Sequence, residues 1–99
     1  MKLVLTPEAE RQASEMDSWW RSHRPDARDL FARELAEARE LILATPTIGV
    51  MYTTRTGKTA RRVLLPKTRN HVYFEVDEDR NVVIVLAVWG APRRRGPRL

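Results

Sequence analysis

The chain has 99 residues, 42% hydrophobic and 31% charged, a balance that suits one soluble globular domain with a single modest core. Its net charge of +5 is split unevenly: residues 1–50 carry seven basic and nine acidic side chains (−2) and residues 51–99 carry eleven and four (+7), so an acidic partner is expected at the second half. With no Cys there is no disulfide framework, thiolate zinc site or thiol nucleophile; two His are too few for a three-ligand catalytic zinc, and the longest apolar run, the eight residues Val82 to Trp89, is too short to cross a bilayer.

In chain order, residues 2–5 (Lys2, Leu3, Val4, Leu5) read as a short strand. The polar residues that follow leave no room for a signal-peptide core, so a cytoplasmic protein without membrane contact is expected. Thr6-Pro7-Glu8 is a helix start, with Thr6 as cap, Pro7 at the first helical position and Glu8 at the positive end of the dipole. Ala9, Ala13, Met16 and Trp20 recur at helical spacing and predict one buried face. Trp19, adjacent on the helix, reads as a partly exposed packing residue, and His23 as a partner of the helix dipole. Arg24-Pro25 ends this helix.

Asp26 is the expected cap of a second helix, with Asp29 in its first turn. Leu30, Phe31, Leu35, Ala38, Leu41 and Ile42 form its apolar stripe, while Arg28, Arg33, Glu34, Glu37, Arg39 and Glu40 mostly fill the other side. Thr45-Pro46 stops it, and the short link between the helices predicts an antiparallel hairpin.

After Gly49 the period becomes strand-like. Strands are expected at Val50 to Thr54, Ala60 to Leu65, His71 to Val76 and Val82 to Val88, with turns at 55–58, 66–70 and 77–80. Val72, Phe74 and Val76 alternate with His71, Tyr73 and Glu75, and the uniformly apolar last strand suits an interior place in the sheet. The order β-α-α-β-β-β-β predicts a two-layer α+β domain, with the N-terminal strand and a helix hairpin packed on a mainly antiparallel sheet, spanning 1–99 with an Arg/Pro-rich tail at 90–99. One sheet face faces the helices. The other carries His71, Tyr73 and one of Arg61 and Arg62, which fall on opposite faces; the remaining Arg is available to pair with Glu34 or Glu37. Thr56-Gly57-Lys58-Thr59 lacks the upstream Gly and the following helix of a phosphate loop and is set aside.

Several segments together resemble the RelE/ParE superfamily of toxins from type II toxin–antitoxin modules, and within it the ParE-like, plasmid-stabilisation branch. These are LTPEAERQ (5–12), RPDARDLF (24–31), the Pro46-Thr47-Ile48-Gly49 link, Arg61-Arg62-Val63-Leu64, the aromatic strand Asn70 to Val76, and Val85 to Trp89 followed by Arg93. The resemblance implies the RelE/ParE-like fold, no cofactor or metal, and growth inhibition by a bacterial toxin neutralised by a cognate antitoxin whose acidic C-terminal segment covers the basic surface. It implies a choice of target. ParE-like members inhibit DNA gyrase by protein contact; RelE-like members cleave mRNA on the ribosome.

The gyrase reading is the leading expectation, and the surface expected to bind the target or the antitoxin is Arg61, Arg62, Lys67, Arg69, His71, Tyr73, Trp89, Arg93, Arg94 and Arg95. For RNA cleavage a base, an acid and cations are needed, and Arg61, Arg69, His71 and Tyr73 are the available set; Gly90 stands where RNase-type members commonly place a His or Tyr. Arg93 to Arg95 suit phosphate or an acidic antitoxin segment equally by chemistry. A third reading, a non-toxic basic nucleic-acid-binding module, is weakened by Glu75, Asp77, Glu78 and Asp79, which interrupt a cationic face.

Overall fold

The computed structural model describes residues 1–93 and 95–99. The chain runs β1 (Lys2–Leu5), α1 (Pro7–His23), α2 (Leu30–Ala44), β2 (Val50–Thr53), β3 (Thr59–Leu65), β4 (Asn70–Asp77) and β5 (Val82–Gly90). The five strands form one sheet in the order β1-β5-β4-β3-β2, with β1 parallel to β5 and the other pairings antiparallel. The expected α+β arrangement is present.

Helix α1 begins as its sequence dictates. Thr6 Oγ1 accepts the Ala9 N–H at 3.1 Å, and Pro7 occupies the first turn. Ala9 and Trp20 are buried, and Ala13 and Met16 pack against the same core. Helix α2 starts later than Asp26. Pro25 to Ala27 form a single 3₁₀ turn closed by the Ala27 N–H on the Arg24 carbonyl, which postpones the helix to Leu30. Asp29 then takes the capping position, with its carboxylate turned to Arg33 at 3.3 Å. The buried stripe of α2 is Phe31, Glu34, Ala38 and Ile42; Leu41, expected inside, is 50% exposed because it lies off that line.

Strand parity fixes the rest. Val63 and Leu65 of β3, Val72 and Phe74 of β4, and Val83, Val85 and Val88 of β5 join the helix residues in one core. Val85 and Val88 share a face despite odd spacing because the pairing shifts between Tyr73/Ala87 and Phe74/Val85, leaving Leu86 as an extra residue. Strand β1 covers β5 only from Val82 to Val85. Beyond that point α1 takes over the free edge. The Thr6 hydroxyl donates to the Leu86 carbonyl at 3.4 Å, and Gln12 Oε1 accepts the Val88 N–H at 2.8 Å.

The link from α2 into β2 turns on Gly49, whose φ is +94°. A Cβ there would sit 2.3 Å from the Arg62 carbonyl oxygen. We expect Gly49→Ala to lower stability by about 2–4 kcal/mol, from left-handed backbone strain and overlap with β3 together. Urea unfolding checks this, and an unchanged midpoint would refute it.

Candidate functional site

The sheet face turned away from the helices gathers the polar residues. Cross-strand pairs share a face, so Val50, Arg62, Tyr73 and Ala87 form one row across β2, β3, β4 and β5. His71 and Trp89 are the next pair towards the β4 start, and Tyr52 and Ala60 lie on the other side of the row. The Tyr73 ring meets Tyr52 edge-on at 5.2 Å between centroids and His71 at 6.0 Å. Burial, and then the positive charge of Arg62, hold the His71 pKa below its ordinary 6.5. The imidazole is therefore mostly neutral near pH 7 and able to accept a proton.

Arg61 does not belong to this group. It pairs with Phe74, a residue of the helix-side core, so strand alternation sends it to the opposite face. Among the described residues no ion pair joins it to Glu34 or Glu37. Arg69 is separated too. It sits in the β3–β4 turn with φ +61°, donating its N–H to the Leu65 carbonyl and accepting the Ala91 N–H, both at 2.8 Å. From there it lines a groove of about 710 Å³ between α1 and the end of β5, with Trp19, Trp20, Trp89 and Arg93. The set Arg61, Arg69, His71 and Tyr73 is thus divided, and Arg62 replaces Arg61 beside His71.

Trp89 ends the face. Its Nε1 donates to the Arg95 carbonyl at 2.7 Å, and the Arg93 guanidinium lies 4.3 Å from its ring. Arg93 and Arg95 are exposed, and Arg94 lies outside the described residues. Lys67 contributes through its backbone, in the turn described next. Tyr73, expected on an open surface, is only 2% exposed because residues 95–99 cross over it.

Glu34, expected on the solvent side of α2, is only 6% exposed. Its carboxylate accepts the Lys67 N–H at 2.7 Å, the Thr68 N–H at 3.0 Å and the Thr68 hydroxyl at 2.7 Å. Asn70 continues the network, donating to the Thr68 carbonyl and hydroxyl. Helix α2 thereby holds the β3–β4 turn that carries Arg69 and starts the His71 strand. The sequence held a signal for this: Glu34 stands three residues after Phe31 and four before Ala38, inside the apolar line. Tyr52, also absent from the expected set, is found only once the β2–β3 register is known.

No family model matches the sequence, and no curated protein matches it. A solved structure does. The crystal structure of the isolated RelE toxin of E. coli superposes with a TM-score of 0.53 at 22% identity, covering 94% of this chain and 86% of that one. This is the RelE toxin fold. The RelE-like architecture accounts for the mixed sheet and the helix hairpin on one face. Among the described residues no group of three or more His, Asp or Glu is arranged to hold a metal ion, and no helix is long and apolar enough to cross a membrane.

Two outcomes follow from this geometry. Glu34→Ala should cost about 2–4 kcal/mol in urea unfolding, since it strands buried donors of the β3–β4 turn; a loss below about 0.5 kcal/mol would place the network at the surface. Because the folded His71 pKa lies below the unfolded 6.5, the unfolded chain takes up the proton first, so His71 removes stability as pH falls below 6.5. NMR titration in a His23→Gln background should give a midpoint under 6.5, and His71→Gln should flatten the acid-side loss of Tm.

Proposed function

We propose that this chain is the toxin of a type II toxin–antitoxin module and that it cleaves mRNA on the ribosome. The observation that carries the reading is the juxtaposition of Arg62, His71 and Tyr73 on the helix-free face of a RelE-like sheet. In such a reaction the 2′-oxygen attacks the adjacent phosphorus, the P–O5′ bond breaks, and a cyclic phosphate and a 5′-hydroxyl result. Neutral His71 is suited to take the 2′ proton, the Tyr73 phenol to protonate the departing 5′-oxygen, and Arg62 to balance charge on the phosphate. The basic second half of the chain, +7 over residues 51–99, suits both an RNA backbone and an acidic antitoxin segment.

The gyrase reading keeps two specific supports. Tyr73 is covered, and Gly90 offers no acid–base side chain after β5, which suits a surface that acts by protein contact. Assays run side by side on translating ribosomes and on gyrase supercoiling separate the two. We expect codon-positioned cuts that fall by about 10²-fold or more in His71→Ala and Arg62→Ala, with antitoxin binding retained. Supercoiling inhibition by the native chain without any cuts would overturn the nuclease reading in favour of gyrase.

A further inference from the structure

Residues 95–99 run across the polar sheet face rather than away from it. They are fastened at three places. The Arg95 carbonyl accepts Trp89 Nε1 at 2.7 Å on β5, the Pro97 carbonyl accepts the Tyr52 hydroxyl at 3.4 Å on β2, and the Leu99 carbonyl accepts the Arg55 N–H at 2.6 Å in the β2–β3 turn. Pro97 is buried. Between the first two fastenings lies Gly96, where a Cβ would stand 3.5 Å from the Tyr52 hydroxyl and 3.7 Å from that of Tyr73.

The dimensions agree with a taut crossing. From β5 to β2 is three strand spacings, roughly 14 Å, and five extended residues reach about 16 Å. The segment makes no strand pairing of its own; its hold is three hydrogen bonds and one buried proline, set against the conformational freedom of five residues. Such a segment belongs to the least stable part of a fold and opens without global unfolding. Beneath it lies Tyr73, the cross-strand partner of Arg62.

The geometry points to a displaceable strap: residues 95–99 cover the Arg62–Tyr73 face in the resting chain, and a ligand of that face gains access only when the strap lifts. This rests on reading the face as the working surface. The strap would keep the tyrosine from RNA until a large anionic partner competes for the same ground, and its own Arg95 and Arg98 would travel with it to the rim. Apparent affinity for that partner is then reduced by the fraction of chains with the strap open.

The test uses the full chain and the variant Gly96→Leu, whose Cβ already stands in contact with both tyrosine hydroxyls, so that three further carbons crowd the crossing while every charge and every residue of the face stay in place. A chain ending at Arg95 is the second variant. Tetranitromethane nitration, mapped to Tyr73 by peptide mass, reads the cover, and a 2′-O-methyl single-stranded RNA 12-mer, which cannot be cleaved, reads binding. We expect both variants to nitrate at Tyr73 about tenfold faster than the native chain and to bind the 12-mer roughly tenfold tighter, with unchanged far-UV circular dichroism. Equal nitration in all three chains overturns the strap. Faster nitration with unchanged RNA binding upholds it while removing RNA as the ligand of the face, so the two readings fail separately.

Discussion

Everything in this molecule depends on the need to bury one face of a five-stranded sheet under a two-helix hairpin. A strand alternates its side chains with a period of two, so choosing Val72 and Phe74 for the core commits His71 and Tyr73 to the opposite face. The same constraint sorts the two neighbouring arginines of β3, taking Arg61 to the helix side and leaving Arg62 next to the tyrosine. The extra residue at Leu86 is a consequence of the same demand. Without that shift, Val85 and Val88 would face opposite ways, and one of them would leave the core.

The second organising interaction is the Glu34 carboxylate. A charged group this deeply buried needs partners, and it finds three donors in the β3–β4 turn. Helix and sheet are thereby joined by directed bonds as well as by apolar contact. Apolar packing alone tolerates sliding; hydrogen bonds to two consecutive backbone N–H groups do not. The register of β4, and with it the position of His71, inherits that fixity.

The acidic first half and the basic second half of the chain meet at the β3–β4 turn, through Glu34, and along the groove between α1 and the end of β5. The carboxylates of α1 are largely engaged along the helix itself, where Arg11 pairs with Glu8 and Glu15, and Arg21 with Asp17. Among the described residues the cations of the second half form one ion pair, Arg80 with Asp77, and the others face a phosphate or a carboxylate of another chain without such a partner. A strap of the chain's own residues over the central tyrosine adds a competition between cover and ligand on that basic side.

Much of this was legible in the sequence. Helical periodicity, the Thr6-Pro7 start, the Pro25 and Pro46 stops and the switch to period two after Gly49 are local signals, set by backbone sterics and by alternation within one segment. They determined the element order, the α+β class and the pairing of His71 with Tyr73 on one strand face. What they did not determine were relations between segments. That Asp29 rather than Asp26 stands at the N-cap position of α2 depends on a 3₁₀ turn closing first. That Arg62 rather than Arg61 joins His71, that Tyr52 meets Tyr73, and that Arg69 turns towards α1 depend on inter-strand register. That Glu34 is buried and Tyr73 is covered depends on a turn and a terminal segment meeting them from 33 and more than 20 positions away along the chain. The sequence by itself decided what each segment is, because that is a matter of local sterics and hydrophobic period. Only the tertiary structure decided which side chains share a site, because hydrogen-bond register and burial are properties of pairs of segments and are written in neither one alone.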